Sequence, residues 1–131
     1  MRNSILFGAF MLCMCIIAAC NKTYRIPLST NDVVFESKKD SITIHCLENH
    51  TFSDFYIQDI HEFSQSGEMG DYYLRNYGWI SIKAPYNGEP NYLTLYVDEN
   101  KSGIQRNVII NIYSNGPSIG FAKVNVTQKA K

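Results

Sequence analysis

Cysteine is scarce where a cross-linked fold would need it. Of four cysteines in 131 residues, Cys13, Cys15 and Cys20 crowd into the first twenty positions and only Cys46 lies beyond them. One thiol cannot form an internal disulfide, so the chain after residue 20 must fold on a hydrophobic core. No ten-residue window carries apolar side chains at helical spacing, which argues against a helical domain. An excess of one charge is missing too, since 12 Lys and Arg balance 12 Asp and Glu. With no basic stripe and no acidic block, neither a nucleic-acid partner nor a charged tail is expected. Catalytic signatures are also lacking: there is no Gly-x-Ser-x-Gly, no glycine-rich phosphate loop and no His-Glu-x-x-His. Asp98-Glu99 is an acidic pair in a turn, without the cleft that glycoside cleavage needs between its carboxylates. No enzymatic activity and no cofactor are therefore expected. His45, His50 and His61, with Asp59 and Glu62, match no metal-ligand spacing. His45 and Cys46 are neighbours on an alternating segment and point to opposite faces. Cys46 reads as a small core residue.

The front of the chain is unlike the rest. Residues 5–19, ILFGAFMLCMCIIAA, hold no polar side chain and follow Arg2 and Asn3. Fifteen apolar residues fall short of the ~20 that span a bilayer as a helix. A basic start, an apolar centre and a small-residue end describe a cleaved signal peptide. Ile17-Ala18-Ala19-Cys20 resembles the lipobox of bacterial lipoproteins. That resemblance implies cleavage before Cys20, acylation of its thiol and a membrane-lipid partner. Two or more acyl chains give stable anchoring, because each buried CH₂ contributes roughly 0.8 kcal/mol. The plainer alternative is an ordinary secretory signal cut after Ala19. Either way residues 1–19 are a signal peptide, and the remainder has 11 basic residues against 12 acidic ones. Residues 20–31, CNKTYRIPLSTN, have no period and include a proline, and read as the anchor cysteine and a tether.

From residue 32 the apolar period is two. Val33 and Phe35, then Ile42, Ile44 and Cys46, take one face. Leu93, Leu95 and Val97 alternate with Tyr92, Thr94 and Tyr96. Val108, Ile110 and Ile112, and then Ala122, Val124 and Val126, repeat the pattern. Such alternation, rich in β-branched and aromatic residues, argues half-buried antiparallel strands. Turn residues fall between the runs, with Gly103 suited to a positive φ. The sequence between is less regular: 54–60 reads as a strand and 61–78 as a long loop with at most one helical turn. The expectation is an all-β protein, an immunoglobulin-like antiparallel β-sandwich of about seven strands over 32–131.

Several motifs fall in a recognisable order. Trp79-Ile80 opens a strand, an alternating strand follows, Asn100-x-x-Gly103-x-x-Arg106 occupies the next hairpin, and Val124-x-Val126-Thr127-Gln128 closes the chain. Together with VVFESKKDSITIHC, residues 33–46, this resembles a BACON domain (Bacteroidetes-associated carbohydrate-binding, often N-terminal). The resemblance implies an immunoglobulin-like sandwich in a cell-envelope protein, with carbohydrate as a ligand. The 32 residues of 47–78 are longer than the compact family pattern. Tyr72, Tyr73 and Tyr77, followed by Trp79, are the candidate glycan-binding residues, because flat rings stack on sugar C–H faces. The alternative places Trp79 in the core and uses the tyrosines to seal the loop against the sheet. Two functions follow. One is a glycan-binding module. The other is a structural or protein-interaction module, a spacer or accessory subunit among envelope proteins. The expected location is the outer membrane, lipid-anchored, on its periplasmic or its cell-surface side. The absence of acidic residues just after Cys20 favours the periplasmic side.

Overall fold

The computed structural model describes residues 23–66, 72–85, 90–115 and 118–131. Ten strands follow in chain order among them: β1 (Thr23–Arg25), β2 (Asp32–Phe35), β3 (Asp40–His45), β4 (Asp54–Ile57), β5 (Ser64–Ser66), β6 (Tyr72–Asn76), β7 (Ile80–Pro85), β8 (Tyr92–Val97), β9 (Arg106–Ser114) and β10 (Ile119–Gln128). They form two five-stranded sheets. The first runs β1-β10-β9-β4, with β2 also paired to β10, and the second runs β3-β8-β7-β6-β5. The all-β sandwich read from the alternation is therefore the fold, with three strands more than expected. Those three are β1, β5 and β6.

The core lies between the sheets, where period two predicts it. Val33, Phe35, Phe55, Ile110, Ile112, Val124 and Val126 from the first sheet meet Ile44, Ile80, Ile82, Leu93, Leu95 and Val97 from the second, all buried. Successive side chains of a strand point to opposite faces, so these residues hide while Lys123, Asn125, Tyr92 and Tyr96 between them stay wet. Cys46 is half-buried against this core, and burial pushes its thiol pKa up.

The tether reading of 20–31 needs correction over its described part. β1 pairs with β10 from Thr23↔Ile119 to Arg25↔Phe121, and β2 pairs with the same edge from Asn125↔Asp32 to Gln128↔Phe35. Both pairings are parallel, so the sheets are not purely antiparallel either. Between them the chain crosses to the second sheet: Leu28 bridges Cys46, and the Ser29 amide donates to the His45 carbonyl at 2.8 Å. Ile26 and Leu28 are buried. One N-terminal segment, two short strands and a bridge, thus joins the edges of both sheets. A segment that alternates sheets every few residues shows no constant apolar period, which is why it reads as a linker.

Gly120 explains how close this edge lies. A Cβ there would meet the Tyr24 ring at 2.6 Å from Cζ and 2.9 Å from Cε2. Gly120→Ala must push that ring off its place beside His50, whose ring centroid lies 5.4 Å away. The expected cost is about 1 kcal/mol, at the low end for overpacking because the ring tip can swing out. Limited proteolysis should then cut the N-terminal edge faster than in wild type, and an unchanged cutting rate would refute this account.

The segment 61–78 also departs from expectation. It forms a hairpin, with Ser64↔Asn76 and Ser66↔Leu74 in register. β5 reads Ser-Gln-Ser and is wholly exposed, so it has no alternation to detect. β6 hides its period because an arginine, Arg75, occupies an inward position. The turn into β7 closes through the Tyr77 amide donating to the Ile80 carbonyl at 3.0 Å. Its first central residue, Gly78, has φ +100°, the left-handed conformation that hairpins of two loop residues require and glycine supplies. The strand read at 54–60 is shorter, because Asp59 turns left-handed at φ 65° and ends it.

Candidate functional site

The structure separates the four aromatic residues that sequence reasoning grouped. Strand alternation turns Tyr72 outward and Tyr73 inward. Tyr73 stacks on the core residue Phe55, with ring planes 4° apart and centroids 5.7 Å apart. Tyr77 is buried against Phe63 at 5.2 Å. Trp79 packs on the core at the far end of the sandwich. Tyr72 alone of the four lines an open face.

Tyr73 and Tyr77 belong to a structural hub around Arg75. Its guanidinium lies 4.6 Å from the Phe55 ring centroid, 5.1 Å from Phe63 and 5.3 Å from Tyr73. It donates to the Phe55 carbonyl, to Asp54 Oδ1 at 2.9 Å and to Gln65 Oε1 at 3.2 Å. Asp54 Oδ1 in turn accepts from the Phe55 amide at 2.8 Å. Both outward backbone groups of Phe55, on the edge strand β4, are thereby occupied. Unpaired edge groups invite strand addition from other chains, and this ion pair covers them. Burial pushes the Tyr73 and Tyr77 phenols up, and the Arg75 charge pulls both partly back.

The motifs that order the second half of the chain build a lock at one end of the sandwich. Asn100 is fully buried. Its Nδ2 donates to the Ile104 carbonyl at 2.7 Å and the Lys129 carbonyl at 3.1 Å, and its Oδ1 accepts from Ser102 Oγ at 2.6 Å. Gly103 takes φ +71° between them, as its position in the turn predicts. Gln128, also fully buried, donates to the Asp98 carbonyl at 2.8 Å and accepts from Arg106 Nε at 3.0 Å. Arg106 then covers the Trp79 ring, with its guanidinium carbon 4.6 Å from the centroid. Trp79 is thus partly buried between the core and a cation.

The open aromatic surface lies elsewhere, on the outer face of the second sheet. Tyr92, Thr94 and Tyr96 alternate outward on β8, and Ser81 and Lys83 do so on the adjacent β7. Lys83 pairs in register with Thr94 and with Leu74, and Tyr72 pairs with Pro85. Tyr92 and Tyr96 are 41% and 39% exposed. Two shallow depressions of about 320 and 330 Å³ adjoin there, sharing Tyr72, Lys83 and Tyr96 in their walls. Ala84, Pro85, Tyr92 and Thr94 complete the first, and Lys39, Leu74, Ser81 and Asp98 the second. Lys83 Nζ rests 4.0 Å above the Tyr72 ring, a cation–π contact, and makes no ion pair among the described residues. Sequence reasoning put Tyr92 and Tyr96 on outward faces but gave them no neighbours. Only the order β8-β7-β6 brings them beside Tyr72 and Lys83. Across the sandwich, Tyr56 and Tyr113 also face outward, but they stack on each other with hydroxyls 2.9 Å apart.

The histidines are dispersed: His45 lies beside Tyr92 and His50 beside Tyr24. Among the described residues no three His, Cys, Asp or Glu converge as metal ligands would. Ile17, Ala18, Ala19 and Cys20 lie outside the described residues. No protein-family model matches the chain, and no curated protein matches it.

Proposed function

We propose that this chain is a lipid-anchored cell-envelope protein whose BACON-like sandwich is a non-catalytic module that binds polysaccharide across the outer face of the second sheet. The observation that supports this reading is the set Tyr72, Tyr92 and Tyr96 around Lys83 and Thr94 on one exposed face. Rings offer stacking surfaces to sugar C–H faces, while the Lys83 ammonium and Thr94 hydroxyl offer hydrogen bonds. Each ring contact contributes about 0.5–1.5 kcal/mol by analogy with aromatic pairs. Three of them approach the ~4 kcal/mol of millimolar binding, a level that repeated units along a polymer strengthen by avidity. Residues 21–131, freed of lipid, should bind on a polysaccharide array. Tyr92→Ala with Tyr96→Ala should weaken that binding at least tenfold and leave the melting temperature within about 2 °C, since both rings are half in water. Silence across a broad array, or full binding by the double variant, would sink the glycan reading.

The second reading, a protein-interaction module, is favoured by one observation. β5 ends its sheet with its outer backbone edge unpaired among the described residues, unlike the capped edge of β4. An open edge can take a partner strand. Co-purification of one fixed envelope protein, without any sugar response, would select this reading.

The anchor is tested separately. Cells fed a fatty-acid analogue should label the wild type and not Cys20→Ala. Equal labelling of the two, or of neither, removes the lipobox reading.

A further inference from the structure

We infer that the sandwich lies directly on the membrane, with the end that carries Thr23, Leu47 and Ile119 against the lipid and the Asn100–Gln128 lock pointing away. This rests on the proposed acylation of Cys20. The first residue of β1 is Thr23, three positions after that cysteine, and it is held in register beside Ile119. Consecutive Cα atoms are 3.8 Å apart, so whatever conformation residues 21 and 22 adopt, Thr23 lies within about 11 Å of the acylated residue. That is less than the thickness of one bilayer headgroup layer plus a side chain, and a twelve-residue tether would have allowed several times more. The leash is short only because 23–28 are built into the sheets.

The end so tethered suits a lipid surface. Ile119 is 50% exposed and Leu47, in the loop after β3, is 44% exposed. Leu47 is fixed to the same edge, its amide donating to the Pro27 carbonyl at 2.8 Å. About half of each of these apolar side chains faces solvent, and an acyl–headgroup boundary would cover that exposed part. The opposite end lies beyond the full ten residues of β10, about 33 Å along the strand. It carries the sole tryptophan, Trp79, covered by Arg106.

That tryptophan makes a natural control. Full-length lipidated protein is reconstituted in phosphatidylethanolamine–phosphatidylglycerol vesicles containing lipid brominated high on the acyl chains. Wild-type Trp79 emission should be unchanged by bromination. Ile119→Trp and Leu47→Trp, each read as the emission added over wild type, should lose at least half of that added signal and shift to the blue. Equal quenching of Trp79, or no quenching at positions 119 and 47 in protein that floats with the vesicles, overturns the orientation and leaves the anchor standing. Failure of the wild type to float with vesicles overturns both. Two tryptophan variants at separate sites guard against either one disturbing the fold.

Discussion

An Arg75→Ala variant unfolds with about 3–4 kcal/mol less free energy than wild type. The side chain is only 16% exposed, so its interactions are largely shielded from water. Its bond to the Phe55 carbonyl is charge-assisted and contributes about 1.5–3 kcal/mol. Its contacts with Phe55, Phe63 and Tyr73 add about 0.5–2 kcal/mol at a partly desolvated site. The Asp54 pair adds little by itself, because that carboxylate is 57% exposed and can return to water. In a domain of this size each kcal/mol moves the melting temperature by about 4 °C, so a fall of roughly 12–16 °C is expected. Arg75→Lys should recover less than half of it, since an ammonium can neither lie flat on three rings nor fork between the Phe55 carbonyl, Asp54 and Gln65. Calorimetry of the three proteins decides the point. A loss under 1 kcal/mol for the alanine variant would mean the hub is incidental. The same substitution uncovers the β4 edge, so the variant should also self-associate at concentrations where wild type stays monomeric, measurable by sedimentation.

Asn100→Ala is expected to cost about 3–4 kcal/mol at the other end of the molecule. The lost amide joins two chain segments: the hairpin at Ser102 and Ile104, and the carbonyl of Lys129 after β10. Each hydrogen bond contributes about 1 kcal/mol net, and the Lys129 carbonyl loses its side-chain donor, while Ser102 Oγ still donates to the Ile104 carbonyl at 3.2 Å. Asn100 has no exposed surface, so its amide bonds are shielded from water in the wild type. Asn100→Asp separates shape from donation. It keeps the acceptor for Ser102 but removes the Nδ2 donors and buries a charge, so it should destabilise at least as much. Urea unfolding followed by Trp79 emission reads both effects, since the Arg106 cover over that ring moves with the hairpin. A variant as stable as wild type would show that the motif residues are kept for something other than the fold.

The two predictions mark where the chain was readable and where it was not. Alternation placed Val33, Phe35, Leu93, Leu95, Val97, Ile110 and Val124 in the core correctly, because a half-buried strand must point every second side chain inward. Gly103 was readable for a similar local reason, a turn that needs positive φ. Arg75 was not. An arginine in the inward register reads as a break in the pattern unless its aromatic cage and its carbonyl partner are known, and both come from β4 and the β5–β6 hairpin. The candidate site failed for the same reason. Tyr72, Tyr73, Tyr77 and Trp79 are close in sequence, yet alternation and a hairpin send them to an outer face, the Phe55 stack, the Arg75 hub and the far end. Tyr92 and Tyr96, some twenty residues from Tyr72, join it instead.

What the residues fixed unaided was the all-β class and the inward and outward faces of five strands. These depend on local chemistry, namely period, turn preference and hydrophobicity. The fold alone decided that residues 23–28 belong to the sheets rather than to a tether, that Arg106 lies over Trp79, and that Lys83 stands among three tyrosines. Each of those follows from which strands lie side by side, and sheet order is a long-range choice that no short window of sequence encodes.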